Sequence, residues 1–266
     1  MARTRILSDL HLGHDSSLIS DVRQLAPLLD GIDELVLAGD SWQERFKGAK
    51  RRPAEEKRAA FEELVREREI MLTYLRGNHD PQTGAGFCYL AEGQVLVTHG
   101  DAVYRTATPW GREMANFEDE VTAIVNRYEP RRQEIEACVA RAREIALTLK
   151  PKPLPALPPP LNFLSTALWP PSRFYHMFRV WRRLGTDLLD FLEESGGGAK
   201  VLVCGHFHRP GVWLRNGYAA VNTGAYMPAS KPLAVDVVGK TLTVSPIKRS
   251  NNLFIIEATK EIISWD

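Results

Sequence analysis

The sequence predicts an α/β protein: one domain formed by residues 1–111 and 195–266, with a helical and proline-rich insertion at 112–194. Three observations predict it. Short apolar runs alternate with helical segments over the first hundred residues, the texture turns helical and then proline-rich, and strand-like runs return from Lys200 onward.

Thr4–Leu7, Glu34–Ala38, Ile70–Leu75 and Gln94–Thr98 are runs of aliphatic and β-branched residues, the pattern of strands buried on both faces. Between them, Ser20–Asp30 is expected as a helix capped by Ser20, and Pro53–Arg68 as a second, because proline suits a first helical turn. Arg112–Arg127 and Pro130–Leu149 have charged, amphipathic spacing. Pro151–Pro171 holds too many prolines to continue a helix and is expected to be extended. Ser172–Glu194 resumes helical periodicity, with Phe174, Met177, Phe178, Trp181, Leu184, Leu188 and Phe191 on one face, until Gly196–Gly198 stops it. Strands are expected again at Lys200–Cys204, Gly211–Leu214, Tyr218–Val221, Leu233–Val238, Thr241–Val244 and Leu253–Glu257. Asn216-Gly217 and Gly239-Lys240 have the composition of hairpin turns.

The 266 residues are 44% hydrophobic and 25% charged, a balance that excludes wholesale disorder. A formal net charge of +1 offers no general grip on nucleic acid or an anionic membrane, so no stable nucleic-acid partner is expected. Cys88, Cys138 and Cys204 are odd in number and lack zinc-finger spacing, which fits reduced thiols in the cytoplasm. Met1 leads almost directly into the first strand, so no signal peptide is expected. Pro153–Ser172 carries no charge, but its prolines remove backbone donors that a membrane helix would need, and it is not read as a span.

Five polar clusters each follow an expected strand directly: Ser8-Asp9-Leu10-His11, Gly39-Asp40, Gly77-Asn78-His79-Asp80, His99-Gly100-Asp101 and Gly205-His206-Phe207-His208. Ligand sites in α/β sheets form at the carboxyl ends of strands, so these loops can meet at one place. Five of the seven histidines lie in them, which scatter would not produce. Imidazole and carboxylate together suit divalent zinc, iron or manganese, and the lack of cysteine excludes a thiolate zinc site. Glycines beside Asp40, Asn78, His99 and His206 permit the tight turns such loops need.

In chain order the clusters spell D-x-H, GD, GNHD, H and GHxH, and with them the sequence resembles the calcineurin-like metallophosphoesterases. The resemblance covers most of the chain outside the insertion. It implies a sandwich of two mixed β-sheets flanked by helices. It also implies a hydrolase that uses a metal-bridging hydroxide to cleave a phosphomonoester, phosphodiester or pyrophosphate. Two divalent ions are implied, manganese before iron or zinc: one held by Asp9, His11, Asp40 and His208, the other by Asp40, Asn78, His99 and His206. His79 is then the catalytic histidine that is not a ligand and acts on the leaving oxygen, with Asp80 a candidate to orient it.

The insertion and the SDLHL opening look like the branch that holds UDP-2,3-diacylglucosamine pyrophosphatases, which implies a lipid-linked or other phosphorylated substrate and a helical cap. That branch usually carries Arg where this chain has His79, the commoner form among phosphodiesterases and nucleases of the family. A cyclic-nucleotide or nucleic-acid phosphodiesterase is the alternative, and a protein-binding scaffold docking through Pro151–Pro171 a third reading. Arg173, Arg179, Arg182 and Arg183 share a helix with Phe174, Tyr175, Phe178 and Trp181, a mixture suited to an anionic head group, a greasy tail or peripheral membrane contact. Packing on the domain is the plainer use of that helix. His14 reads as a surface or supporting histidine and His176 as structural. Asp101 is a candidate to orient His99, Asn222-Thr223-Gly224 a candidate to close the site, and Lys47, Lys50, Arg51 and Arg52 either a phosphate-facing patch or a solvated loop.

Overall fold

The computed structural model describes residues 1–107, 118–149 and 171–265, with the backbone alone for 171–174. Six of the strands that lie at the expected places, with bounds moved by a residue or so, are β1 (Arg3–Leu7), β2 (Glu34–Ala38), β3 (Met71–Leu75), β5 (Val95–Thr98), β6 (Val201–Cys204) and β8 (Tyr218–Asn222). Among the described residues these six make every parallel pairing between strands, β1–β2–β3 in one sheet and β5–β6–β8 in the other. Antiparallel neighbours complete two mixed sheets. The seven-stranded sheet runs β3–β2–β1–β9–β10–β11, with β9 at Leu233–Val238, β10 at Thr241–Ser250 and β11 at Leu253–Ile256; β12 (Glu261–Ser264) also pairs with β10. The five-stranded sheet runs β4–β5–β6–β8–β7, with β4 at Phe87–Leu90 and β7 at Gly211–Arg215.

Strand alternation divides the core into three layers. Ile6, Val36, Ala38, Val95, Val97, Val203 and Val221 meet between the sheets, where small and β-branched side chains let the faces approach. Their strand neighbours face outward. Leu7, Leu35 and Leu37 pack beneath helix α1 (Arg51–Arg66) and a 3₁₀ turn at Val22–Leu29. Leu96, Leu202, Cys204 and Ala220 pack beneath α2 (Glu118–Tyr128), α3 (Ile135–Thr148) and α4 (Pro171–Ser195). The described helices between β5 and β6 thus share one core with the five-stranded sheet.

Three expectations are corrected. Ser20–Asp30 is a shorter 3₁₀ turn that Pro27 occupies, and its cap is Asp21, whose carboxylate accepts from Arg23 N at 2.9 Å while Gln24 reaches back to Asp21 N. β4 and β12 were not expected; each is four residues long at a sheet edge, where pairing rather than composition decides the state. Thr241–Val244 is the first part of a ten-residue strand that pairs with β9 and β12 along its first half and with β11 along its second. Asn216-Gly217 turns with φ of 51° and 80°, as a two-residue hairpin requires. The proline-rich Pro151–Pro171 segment lies almost wholly outside the described residues, as do 112–117. Among the described residues, no helix is long and apolar enough to cross a membrane.

Candidate metal centre

The C-terminal ends of the parallel strands converge. β1 delivers Asp9 and His11, β2 delivers Asp40, and β3 leads to Asn78 and His79, while β5 delivers His99 and β6 delivers His206 and His208. Asp9, His11, Asp40, His206 and His208 all have positive φ, between 48° and 69°, in a region that most residues avoid but Asp, Asn and His tolerate. The left-handed step ends the strand and turns the side chain inward, and such strain is kept where the surroundings demand it.

Three sets of ligand atoms each lie within 4.8 Å of one another: Asp9, His11 and His208; His11, Asp40 and His79; and Asp9, Asp40 and His99. His208 Nε2 is 3.2 Å from Asp9 Oδ1 and 3.2 Å from His11 Nε2. On the other side, His99 Nε2 is 3.2 Å from Asn78 Oδ1, 3.2 Å from His206 Nδ1 and 3.4 Å from Asp40 Oδ1. Asp40 thus lies between the groups, also 3.7 Å from His11 Nε2. Asp9, His99, His11 and Asp40 are almost wholly buried, whereas His79 and His208 keep about a third of their side chains exposed, at 38% and 33%.

The model of one protein family matches residues 2–210, and that family is the calcineurin-like phosphoesterases. The chain belongs to it. No curated protein is significantly similar to the chain. Among solved structures, the chain is similar to Vacuolar Protein Sorting 29 of Cryptosporidium parvum, at 14% identity and a TM-score of 0.44 over 99% of this chain and 98% of that one. Zinc-complexed Vps29 of Entamoeba histolytica gives 12%, 0.42, 97% and 98%. A predicted phosphoesterase of Streptococcus pneumoniae gives 13%, 0.36, 98% and 99%.

The donor chemistry of this family member fits bound cations. Imidazole nitrogens and carboxylate oxygens crowd together as mutual acceptors, an arrangement that a shared cation relieves. The remaining ring nitrogens are already committed. His99 Nδ1 lies 3.0 Å from Ala38 O, and His206 Nε2 lies 3.0 Å from Ala107 O, so each ring meets the centre through its other nitrogen. Burial keeps His11 neutral by pushing its pKa well below 6.5, and burial with the nearby His99 pushes His206 down to about 3. Burial raises the Asp40 carboxyl, but His99 and His79 outweigh it and hold Asp40 well below the usual carboxylate range. His11 and His206 are thus neutral beside an ionised Asp40, the forms that hold metal, whereas at His99 burial lowers the pKa but the Asp40 charge outweighs it and raises it well above 6.5. Packing leaves no freedom beside them. A Cβ at Gly205 would stand 1.9 Å from Asp9 Oδ2, and one at Gly77 2.4 Å from Asp40 Oδ1.

Two orienting roles differ from expectation. Asp80 lies fully buried with its carboxylate turned to the backbone, accepting from Gly77 N and Ser41 N at 2.7 Å and from Asp40 N at 3.0 Å. It ties the Asp40 and Asn78 loops together, and the group on His79 Nδ1 is Gln43 Oε1 at 2.8 Å. Burial and the Asp40 charge push the Asp80 carboxyl up to about 7. Asp101 is buried, but the ring nitrogen of His99 that faces away from the centre goes to Ala38.

Other contacts were missed or left open by the sequence. Gln43 also meets His11 Nδ1 at 3.0 Å, and no short motif signals that. Asn222-Thr223-Gly224 closes the site from β8: Asn222 Nδ2 donates to Gly205 O and Thr223 Oγ1 lies 2.5 Å from Ser8 Oγ. His14 packs at the rim, 6.2 Å from the Phe46 ring and 6.4 Å from His79. Lys50, Arg51 and Arg52 pair with Asp15, Glu55 and Glu56 on the surface. They form a solvated face.

Proposed function

We propose that the chain is a hydrolase of phosphate esters or anhydrides that works with two divalent metal ions, manganese before iron or zinc. The observation that carries this reading is the convergence of Asp9, His11, Asp40, Asn78, His99, His206 and His208 from five strand ends, with Asp40 shared between the groups. Asp9, His11, Asp40 and His208 hold one ion, and Asp40, Asn78, His99 and His206 the other. When bound, such ions acidify water and polarise a phosphoryl oxygen. The protein's own part is placement. Asp40 balances the cationic charge, Asn78 offers a neutral oxygen, and the buried loops hold the donors before the substrate arrives. His79 is the catalytic residue for proton delivery: it belongs to the cluster with its Nε2 3.9 Å from Asp40 Oδ2, yet keeps an exposed edge that a leaving oxygen can reach.

Residues 1–111 and 195–266 form the catalytic domain in this reading, and 112–194 the insertion that selects the substrate. Trp181 of α4 supports the second role, because its Nε1 donates to Phe207 O at 3.1 Å, between the two histidines of the last ligand loop. Exposed Tyr175 and Phe178 alternate on α4 with exposed Arg179, Arg182 and Arg183, which suits a substrate with an anionic group and a bulky apolar part. The test is hydrolysis of phosphomonoesters, phosphodiesters and nucleoside or lipid pyrophosphates by protein loaded with each metal in turn, with metal counted per chain. Two ions and turnover of at least one class are expected. A well-folded protein that takes up no metal and cleaves none of them would overturn the reading.

A further inference from the structure

A cavity of about 660 Å³ opens between α3, α4 and the loop that follows β5. None of the proposed metal ligands lines it. Its volume falls in the range of about 300–1,000 Å³ that small-molecule sites occupy. Tyr104, Val180 and Phe191 give it an apolar side, and arginines from all three elements give it a cationic one. Among them, Arg141 of α3 stands apart.

Arg141 is only 3% exposed, yet among the described residues no carboxylate lies within ion-pair distance of it. Its Nη2 donates to Ala102 O at 2.8 Å and reaches Tyr104 O at 3.5 Å, while its Nε has no hydrogen-bond partner. Carbonyl oxygens take up protons but cancel no net charge. The neighbouring Cys138 cancels none either, because burial pushes its thiol up from the ordinary value and keeps it neutral. Guanidinium groups keep their charge in protein interiors, and a buried charge without a counter-charge is costly. The acids on the wall are mostly engaged elsewhere. Glu129 is held by Arg105 and Arg132, Asp187 by Arg183 and the Tyr104 hydroxyl, and Asp190 by Arg215. Arg179, exposed on α4, has no carboxylate partner among the described residues. Only the exposed Glu194 remains to offset Arg141 and Arg179, so the cavity keeps an excess of positive charge.

We propose that this cavity is a second ligand site, for a phosphate monoester of nucleotide size, with the phosphate on Arg141 and Arg179 and the apolar part against Tyr104, Val180 and Phe191. Guanidinium groups match phosphate oxygens through paired N–H bonds, and a phosphate monoester carries close to two negative charges at neutral pH. Two uncommitted guanidiniums therefore suit it better than they suit a single carboxylate. The inference goes beyond the metal-site reading and does not depend on it. The two places are neighbours, since the loop that carries Ala102 and Tyr104 ends at Ala107, whose carbonyl lies 3.0 Å from His206 Nε2. The test must tell them apart.

The test is calorimetric titration of the zinc-loaded chain with the phosphonate analogue of adenosine monophosphate, in which CH₂ replaces the ester oxygen and nothing can be cleaved. One equivalent should bind, and its affinity should survive removal of zinc by chelation. Arg141→Met should weaken it by about 10–100-fold, the loss expected when a hydrogen-bonded charge is removed. Arg179→Glu, a change at an exposed position, should weaken it by about fivefold or more. Adenosine without the phosphonate should bind far more weakly than the analogue. An arginine that only holds the Ala102 loop would instead cost Arg141→Met stability and leave Arg179→Glu binding as the wild type does. The absence of chelation-resistant binding, unchanged affinity in either folded variant, or adenosine binding as tightly as the analogue would each overturn the proposal. Should Arg141→Met not fold, Arg179→Glu decides. A chain that takes up no zinc counts against the metal-site reading alone, and the same titration still decides this one.

Discussion

The two sheets contribute differently to one centre. The seven-stranded half supplies both proposed ligand carboxylates and the amide, through Asp9, Asp40 and Asn78, together with the imidazoles of His11 and His79. The five-stranded half supplies only imidazoles, His99, His206 and His208. Neither half has a complete set. Even without counting a cation, the centre joins the layers: Asp9 accepts from His206 N at 3.0 Å, and His99 meets both Asp40 and the carbonyl of Ala38. The carboxylates come from one sheet and three imidazoles from the other, so a bound cation would add a clasp between sheets already joined by apolar packing and these polar contacts.

Removing the shared charge should break the comparison most severely. Asp40→Ala takes away a carboxylate that approaches imidazoles of both halves, His11 and His99, and leaves His99 without its closest acceptor charge. At least one metal, and activity on every substrate, should be lost, as read by elemental analysis and steady-state rates. Two metals retained would mean that the halves do not share Asp40. His79→Ala should sharpen the comparison from the other side. It should keep both metals while kcat falls by about 10²–10⁴-fold on poor leaving groups. An equal loss across a leaving-group series would remove proton delivery from His79.

Asp80 tests how far one half depends on itself. It bonds three backbone N–H groups, all within the seven-stranded half. Asp80→Ala leaves all three buried without that acceptor, at about 1–3 kcal/mol each, so a loss of 3 kcal/mol or more is expected in denaturant unfolding. A loss below 1 kcal/mol would mean that water replaces the carboxylate. The clasp itself is tested by chelation. With metal at about a hundred times its dissociation constant, binding stabilises by roughly 2.7 kcal/mol, so removal should lower Tm by about 5–11 °C. Unchanged Tm on chelation, with metal shown to leave, would deny any link between the halves.

Much of this centre was legible because its chemistry is local in sequence. Asp9 and His11, or His206 and His208, are two residues apart at a strand end, and the strands announce themselves by apolar runs. The supporting groups were not legible for the opposite reason. Gln43 meets His11 and His79 across 32 and 36 residues, and the partners of His99 and His206 are backbone carbonyls, which no side-chain pattern encodes. Asp80 was misjudged because adjacency to His79 suggests contact, while the turn aims successive side chains apart. β4 and β12 escaped because a four-residue edge strand owes its state to a neighbour.

The smallest expected effect lies where the helical layer touches the five-stranded half. Trp181 donates to the carbonyl of Phe207, and Phe207 is buried against Tyr104 with ring centroids 5.7 Å apart. Trp181→Phe keeps most of the ring packing and removes this one donor. Because α4 is also anchored by fully buried Leu184 and Leu188, the helix should stay in place. A single intramolecular hydrogen bond contributes about 0.5–1.5 kcal/mol, which corresponds to a few degrees of Tm in a chain of this size. Affinity for metal should change less than the 10–100-fold seen when a group bonded directly to a ligand ring is lost, because Trp181 bonds the backbone between the ligands and no imidazole. Zinc titration of the wild type and the variant, beside thermal unfolding, separates the cases. A drop in affinity beyond tenfold with Tm nearly unchanged would show that the helical layer governs the His206–His208 loop, and the five-stranded half could no longer be described as presenting its imidazoles unaided.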